Sequence, residues 1–502
     1  MSFALLTGVA VAGRVLETAR SCEVATPDAF HQCHRRCRGA EETPKLGLEQ
    51  TRYVSHEPYK YANMLIERFL RYCATRTTKH YLALKPGPSC EAPLPDRSKR
   101  YLLYIHIPFC ANLCPYCSFI RVKFEPALAA RYFEALKKEI RTYFSLGYQF
   151  DSIYVGGGTP TIWPERLVEI LSLARSLWPI RQISTEANPD HLVPDVLQKL
   201  KDVGVNRLSV GVQSFNNDIL ASVHRSSQYG STEDIKRRLS STKGMFDTLN
   251  VDMIFNFPNQ TMEMLAEEIE AIKELDVDQV TYYPLMISSH KRKEIEERCG
   301  KKHKLGDRKA YDFIVDQLAG QYRCESVWCF SKRAGLADEY IVSRDEYVGV
   351  GVGSWGYIKG TLYHNTFSVQ DYVQRAESDQ SLIAACRVFS ERDRICYMFM
   401  LTLIGGSASL SDLEDKVGTH FWPYLGGELL FLLLTGALVV RDGKLVLTRK
   451  GRYYWVILLG TLFSVVGDYR NMCSSLDDSA TVPQKCIPLN KPGQVCDIGA
   501  PA

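Results

Sequence analysis

Between residues 101 and 285, short apolar runs alternate with longer amphipathic stretches. The short runs are rich in β-branched and aromatic residues, as buried strands are, and they read YLLYIHI, SIYVGG, QISTEA, NRLSVGV, LNVDMIF and QVTYYPL. Between them, apolar residues recur at helical spacing in segments that start near Ala127, Pro164, Val193, Asn217 and Met262. Strands that alternate with helices in this way predict an α/β fold with a parallel partial barrel of six β/α repeats.

A second module follows the barrel. The glycine-rich stretch VGVGVGSWGYIKG comes after Tyr347, and SLSDLEDKVG and YLGGELLFLLLTGALVV then have the pattern of two helices. KLVLT is a predicted strand, and a predicted last helix, RKGRYYWVILLGTLFSVV, begins at Arg449. This order resembles a small, mostly α-helical winged-helix-like domain. Because the module lacks a basic recognition helix, we expect no nucleic-acid binding.

These patterns divide the chain into four parts. We predict an N-terminal extension and linker, a barrel with its glycine-rich extension, the winged-helix-like domain and a disordered tail, over residues 1–97, 98–387, 388–470 and 471–502. The extension contains a helical pattern from Tyr59 to Tyr72 and the cluster HQCHRRC, which begins at His31. That cluster could bind metal, but no second pair of ligands follows it, so an unstructured segment is the favoured interpretation.

Composition and charge exclude several classes of protein. The 502 residues carry a net charge of only +4, too weak a field to indicate nucleic acid or an anionic membrane as a partner. The 16 cysteines are irregularly spread and no secretory signal pattern precedes them, so we expect a cytoplasmic location rather than a disulfide framework. The apolar stretches that start at Leu429 and Trp455 are about a dozen residues long, short of the roughly 20 that a membrane span needs. We therefore expect no membrane span.

The strongest chemical signal follows the first predicted strand. In YIHIPFCANLCPYC, Cys110, Cys114 and Cys117 are spaced four and three positions apart, so one tightly wound loop can aim three thiolates at three irons of a [4Fe-4S] cluster. The fourth iron then stays open, and S-adenosylmethionine (SAM) can chelate it through its amino and carboxylate groups. An electron from the cluster would cleave SAM and give a 5'-deoxyadenosyl radical. The alternative is a zinc site, for which His106 is the best-placed fourth ligand.

Further glycine and polar residues lie at or near the ends of the later strands. The loop GGGTPT starts at Gly156, and successive glycines let backbone groups approach a ligand such as SAM closely. Glu186 lies at the end of its strand, where a carboxylate could bind the ribose or the ammonium group of SAM. Gln213, Arg225 and Asp252 lie on later strands or in the segments after them. Because the carboxyl ends of barrel strands carry the chemistry, we expect these residues around one site.

Several motifs, in their order along the chain, resemble the radical SAM family of oxygen-independent coproporphyrinogen III oxidase: YIHIPFCxxxCPYC, GGGTPT, EANP, RLSVGVQSFN, VDMIFNFPNQT and EYVGVGVGSWGY, with His364 and Asn365 after them. The resemblance covers roughly residues 100 to 470. It implies a radical SAM partial (β/α)6 barrel with a C-terminal winged-helix-like α-helical domain, and a [4Fe-4S] cluster on the three cysteines. It also implies a set of residues that line the SAM sites: Tyr104, Tyr116, Gly157, Gly158, Thr159, Glu186, Gln213, Arg225 and Asp252.

The resemblance further implies a second SAM molecule beside the first, in contact with Gly157, Gln213 and Asp252. For function, it implies oxidoreductase chemistry on a tetrapyrrole, most concretely the oxidative decarboxylation of the propionates of coproporphyrinogen III. We expect an electron donor such as flavodoxin or ferredoxin, and a monomeric protein.

Two departures from the family pattern leave the substrate open. The oxidases have a further cysteine two residues past the third ligand, where this chain has Phe119, and residues 224–227 also differ from the family's pattern. The family includes haem chaperones and radical SAM methyltransferases as well. A haem carrier would use an axial ligand, for which His364 or a free cysteine is a candidate, whereas a methyltransferase that uses two SAM molecules would release S-adenosylhomocysteine besides 5'-deoxyadenosine. All three hypotheses stay open on the sequence.

Overall fold

The computed structural model describes residues 57–86, 91–300, 307–334, 344–417 and 421–475. The cluster that begins at His31 and most of the predicted tail lie outside the described residues. The first described elements are helix α1 (Glu57–Tyr81) and strand β1 (Lys85–Pro86). Leu70 and Leu82 are buried in the main hydrophobic core. The predicted N-terminal extension thus contains a helix that packs into the body of the protein. The predicted boundary between the extension and the barrel at residue 97 stays a prediction.

The barrel alternates strands and helices as the sequence pattern predicts. Its elements are β2 (Tyr101–Ile107), β3 (Phe109–Cys110), β4 (Val122–Lys123), α2 (Pro126–Ser145), β5 (Phe150–Gly157), α3 (Pro164–Leu177), β6 (Gln182–Ala187), α4 (Pro194–Asp202), β7 (Arg207–Gln213), α5 (Asn217–Ser222), α6 (Ser226–Tyr229), α7 (Thr232–Thr242), β8 (Thr248–Phe255), α8 (Met262–Leu275) and β9 (Gln279–Pro284). Strands β2, β5, β6, β7, β8 and β9 pair in parallel in that order. The partial barrel of six parallel strands is therefore confirmed.

The sheet continues beyond both edges of the barrel. The next elements are α9 (Arg292–Cys299), α10 (Asp307–Leu318), β10 (Arg323–Cys324), β11 (Cys329–Ser331), β12 (Tyr347–Val350), β13 (Trp355–Ile358), β14 (Thr361–Asn365), α11 (Val369–Glu377) and β15 (Ile383–Val388). Strand β12 pairs in parallel with β2, and β13, β14, β15 and β1 follow it outward, while β11 and β10 extend the sheet beyond β9. A Cβ atom at Gly349, within β12, would lie 2.1 Å from the carbonyl oxygen of Trp355 at the start of β13, so this close approach of the backbone requires glycine.

The C-terminal region is mostly helical, as expected, with a small antiparallel sheet. It contains α12 (Glu391–Thr402), β16 (Ser407–Ser409), α13 (Leu410–Val417), α14 (Trp422–Leu434), β17 (Leu438–Arg441), β18 (Lys444–Leu447) and α15 (Arg449–Ser475). Helix α14 was predicted to continue to Val440, but it ends six residues earlier because Gly436, at φ 68°, takes a left-handed conformation that terminates a helix. Helix α15 continues past the predicted boundary at residue 470.

Helix α15 packs back onto the barrel sheet. Tyr469 lies near its end, and its hydroxyl contacts Nε2 of His364 on β14 at 3.1 Å, while Nδ1 of this histidine lies 2.9 Å from the carbonyl oxygen of Asn365. His364 is buried, and burial lowers its pKa to about 4, with a further contribution from the charge of Arg470. The neutral ring therefore links the last helix to the sheet. None of the described helices combines the length and the hydropathy that a membrane span requires.

We expect a pH-dependent stability difference between the wild type and a His364→Gln variant, which cannot titrate. Below its ordinary pKa of 6.5 His364 takes up a proton in the unfolded chain, but in the folded protein only near pH 4. The stability that comes from the neutral, buried ring is thus complete above pH 6.5 and is lost as the pH falls. Between pH 7 and pH 5 the wild type should lose about 2 kcal/mol relative to the variant. Anaerobic urea denaturation at both pH values measures the free energy of unfolding of the two proteins. A difference between them that is the same at pH 7 and pH 5 would contradict this prediction.

Candidate functional site

The carboxyl ends of the barrel strands surround one cavity. It is lined by every residue that the sequence predicted to hold the cluster or SAM: Tyr104, Cys110, Cys114, Tyr116, Cys117, Gly157, Gly158, Thr159, Glu186, Gln213, Arg225 and Asp252. These side chains and glycines come from five different strands and the loops after them. The structure thus brings the whole predicted set together, and the role of each residue stays a prediction.

The loop that carries the three cysteines is pinned at both ends. The amide of Val122 donates to the carbonyl of Pro108, and the amide of Phe124 donates to the carbonyl of Cys110, so the chain returns along its own starting segment. Between these points, the guanidinium of Arg121 donates to the carbonyl of Cys114. The loop geometry is therefore fixed by backbone hydrogen bonds and one buried arginine contact.

The residues present fit a [4Fe-4S] cluster. Cys110, Cys114 and Cys117 have free thiols, come from one loop and line one cavity, and three thiols are the soft donor set that such a cluster uses. Among the described residues, no group of three or more His, Cys, Asp and Glu side chains is placed to hold a single metal ion. His106 was the best fourth ligand for zinc, but both of its ring nitrogens are engaged elsewhere.

The glycine loop after β5 packs against the cysteine loop. The amides of Gly158 and Thr159 donate to the carbonyls of Ile107 and Phe109. A Cβ atom at Gly158 would lie 2.8 Å from the Phe109 carbonyl oxygen and 3.0 Å from the Cys110 sulfur. A larger residue at Gly158 would therefore displace a predicted cluster ligand. The packing of the two loops against each other thus requires glycine at this position.

Thr159 contacts a predicted cluster ligand directly. Its hydroxyl donates to the sulfur of Cys110 at 3.6 Å and accepts a hydrogen bond from the side-chain amide of Asn188 at 3.0 Å. Burial raises the pKa of the Cys110 thiol to about 11, and the hydrogen bond from Thr159 opposes that rise because it favours the thiolate. Asn188 and Thr159 thus form a relay that ends on the sulfur.

Tyr104 is oriented by His106, two residues later on the same strand. Nε2 of His106 lies 2.8 Å from the carbonyl oxygen of Ile120 and must donate to it, since a carbonyl can only accept. Burial lowers the pKa of His106 to about 4, so the ring is neutral and its Nδ1 accepts from the Tyr104 hydroxyl at 2.9 Å. This hydrogen bond therefore fixes the orientation of the Tyr104 hydroxyl.

Two carboxylates line the barrel side of the cavity, and protein donors hold both. Glu186 accepts from the hydroxyl of Tyr154 at 3.0 Å and from the amide of Gly157 at 3.2 Å. Asp252 accepts from Ser209 and from Asn250, each at 2.8 Å. These hydrogen bonds orient the two carboxylates, which would accept from the amino group and the ribose hydroxyls of SAM.

Arg225 is buried in the cavity wall. It lies between the rings of Tyr116 and Tyr229, at 5.9 Å and 4.9 Å from their centroids, and donates to the carbonyl of Gly211. Its Nε atom is buried and has no hydrogen-bond partner in the part of the chain that the structure describes. A buried donor of a charged group is costly unless an acceptor is supplied. The carboxylate of a bound SAM is such an acceptor, so this arginine fits the expected ligand.

Gln213 is the least regular of these residues. It ends β7 with φ 75°, in a left-handed conformation that is uncommon for a residue with a side chain, and the pairing of β7 with β8 shifts register beside it. This local strain aims the end of β7 into the cavity, where Gln213 was predicted to contact SAM.

The sequence missed several residues that line or support the cavity. Tyr154 precedes the glycine loop, Asn188 follows Glu186, and Trp355 lies in the glycine-rich extension. The alternation of β5 could have placed Tyr154 on the same face as Tyr104, since the two residues are register partners. Arg470 carried no signal, because it is brought to the cavity by the last helix. His364, in contrast, does not line the cavity, and both ring nitrogens are engaged, so it is a poor axial ligand for haem.

The chain is similar to proteins of known families. Residues 104–272 match the model of the Radical SAM superfamily. The chain is 30% identical to a "Heme chaperone HemW" of Lactococcus lactis over 361 residues, which are 69% of this chain and 93% of that protein. It is 26% identical to an "Oxygen-independent coproporphyrinogen III oxidase" of Salmonella typhimurium, over 82% of this chain and 94% of that protein. The solved coproporphyrinogen III oxidase of Escherichia coli is 23% identical and has a TM-score of 0.60, over 73% of this chain and 90% of that chain.

We expect a Thr159→Val variant to keep its cluster but with a lower reduction potential. Valine preserves the shape and removes the hydroxyl that donates to the Cys110 sulfur. Loss of a hydrogen bond to a cluster sulfur disfavours the more negative, reduced state. Redox titration followed by electron paramagnetic resonance measures the shift. A Thr159→Ser variant, which keeps the hydroxyl, serves as the control. If both variants have the reduction potential of the wild type, the hydrogen bond from Thr159 to Cys110 does not affect the cluster.

Proposed function

Since the chain belongs to the radical SAM family that includes heme chaperones of the HemW type and oxygen-independent coproporphyrinogen III oxidases, we propose that it is a SAM-cleaving enzyme that acts on a tetrapyrrole. One observation carries the proposal: a single cavity gathers three free thiols, two oriented carboxylates and a buried arginine whose Nε atom has no acceptor among the described residues. These are the groups that a cluster with an open iron and a molecule of SAM require.

Each group has a task in binding. Cys110, Cys114 and Cys117 would hold the cluster, and Arg225 would pair with the carboxylate of SAM. Glu186 would accept hydrogen bonds from its amino or ribose groups, with Tyr154 and the amide of Gly157 keeping the carboxylate in place. When bound and reduced, the cluster and SAM together supply a 5'-deoxyadenosyl radical that abstracts hydrogen from an unactivated carbon. The protein's contribution is to position the substrate carbon and to exclude water.

The cavity also has apolar and aromatic lining residues, which suit a flat, largely apolar substrate. Among them are Tyr283, Leu285, Met286, Trp355 and Phe463. A tetrapyrrole presents such a surface, with its polar propionates at the edge. In the proposed reaction a propionate loses a hydrogen atom from its β-carbon, then carbon dioxide and one electron, and becomes a vinyl group. A protein such as flavodoxin or ferredoxin would reduce the cluster, and an electron acceptor takes the electron that the substrate releases.

Haem carriage is the second candidate function. Over more than two thirds of its length the chain is 30% identical to a heme chaperone, and Phe119 occupies the position at which the oxidases have their further cysteine. A carrier of this kind would bind haem in stoichiometric amount and would not couple SAM cleavage to substrate. The carboxylates and the Arg225 donor in the cavity favour the enzyme, because they provide the SAM contacts that a carrier does not need.

The test is product analysis under anaerobic conditions. Reconstituted, reduced protein is incubated with SAM and either coproporphyrinogen III or haem, and nucleoside and tetrapyrrole products are separated. We expect 5'-deoxyadenosine in amounts that follow the tetrapyrrole product. Replacing any one of the three cavity cysteines with alanine should abolish both products and the brown cluster absorbance. Cys73→Ala is the matched control, since Cys73 is a free cysteine of α1 outside the cavity.

The other outcomes separate the hypotheses. Tight haem binding without substrate-dependent formation of 5'-deoxyadenosine would contradict the enzyme hypothesis and support the haem-carrier hypothesis. Formation of S-adenosylhomocysteine together with 5'-deoxyadenosine would indicate methyl transfer. Absence of SAM cleavage with any tetrapyrrole, in protein that holds its cluster, would refute the proposal.

A further inference from the structure

The C-terminal half of helix α15 contributes Phe463 and Arg470 to the lining of the cavity. Gly467 packs so closely on the cysteine loop that a Cβ atom there would lie 3.2 Å from the Cβ of Ser118. Asp468 accepts from the amide of Ser289 at 2.6 Å and from its hydroxyl at 2.9 Å. Asn471 donates to the hydroxyl of Ser288 at 3.0 Å. The residues between these contacts are therefore held in one position over the site.

Arg470 lies within this fixed segment and lines the cavity. Its guanidinium lies 5.6 Å from the centroid of the Phe119 ring, in the cysteine loop. The same positive charge contributes to the lowered pKa of both His106 on β2 and His364 on β14, which are buried. The charge of Arg470 is thus directed into the interior of the protein, and Phe119 supports the face of the guanidinium.

Trp355 provides a second donor on this side of the cavity. It lines the cavity, it is 7% exposed, and its ring lies 6.0 Å from that of Tyr469, the residue before Arg470. The indole Nε1 atom is buried and has no hydrogen-bond partner among the described residues. Indole nitrogen can only donate, and a buried donor favours a ligand that supplies an acceptor.

We propose that Arg470 and Trp355 form a subsite for a carboxylate of the substrate. The guanidinium matches the two oxygens of a carboxylate, and the indole N–H supplies another donor. The proposal rests on the proposed function, because it assigns the propionate edge of the tetrapyrrole to this side of the cavity. Glu186 on β6 and Asp252 on β8 come from other elements than Arg470 on α15 and Trp355 on β13, so the carboxylates of the cavity and this pair of donors are carried by separate elements. Haem and coproporphyrinogen both carry propionates, and the same subsite would serve either.

The experiment compares two probes that differ only in charge and ester groups: coproporphyrin III and its tetramethyl ester. Anaerobic protein with its cluster and SAM is titrated, and binding is followed by the porphyrin absorbance. We expect the wild type to bind the free acid at least about tenfold more tightly than the ester. Arg470→Gln should remove most of that preference and Arg470→Lys should retain part of it. Trp355→Phe should reduce it about threefold.

Arg449→Gln is the matched control. Arg449 lies on the same helix, but it pairs with Asp312 and Asp316 outside the cavity, so its loss should leave the preference unchanged. If Arg470→Gln and Trp355→Phe keep the wild-type preference for the free acid over the ester, the proposed subsite is refuted and the proposed function is not affected. If the wild type holds its cluster and binds SAM but binds neither porphyrin, both the proposal of a tetrapyrrole substrate and the proposal of the subsite are refuted. Titration with haem in place of coproporphyrin distinguishes the two sources of the carboxylate.

Discussion

Three thiols must face one cavity from a single loop, and the rest of the site is arranged around this requirement. The loop between β2 and α2 meets it because its two ends hydrogen-bond to each other and because Arg121 fixes the carbonyl of Cys114 at its centre. The neighbouring glycine loop then fits against it, with no room for a side chain at Gly158. The position of the parallel strands determines where this loop lies, since β2 and β5 end side by side and deliver both loops to the same edge.

The polar groups of the cavity are each supported by a second residue. His106 orients Tyr104, Asn188 orients Thr159, and Tyr154 orients Glu186. Burial of such groups costs free energy unless their hydrogen bonds are made, so these pairs let polar side chains remain in an apolar interior in a single orientation. The cavity contains both signs of charge: carboxylates on β6 and β8, and arginines after β7 and on α15.

Much of this arrangement follows from local sequence. Alternation of short apolar runs with helical spacing identified all six barrel strands, and residues at the strand ends formed one site because parallel strands end at the same edge. The packing of α1 and the contribution of Arg470 could not be predicted, since both depend on contacts between distant parts of the chain. The end of α14 was misplaced because apolar residues continue past Gly436, and their pattern alone does not distinguish the helix from the strand that follows.

The most direct test of the account is electron–nuclear double resonance on the reduced protein with SAM labelled with ¹⁵N in its amino group and ¹³C in its carboxylate. We expect about four irons and four sulfides per chain, and coupling of both labels to the cluster, because three cysteines leave one iron open for SAM. Oxygen-protected protein that contains zinc, or a cluster that shows coupling to neither label, would contradict it.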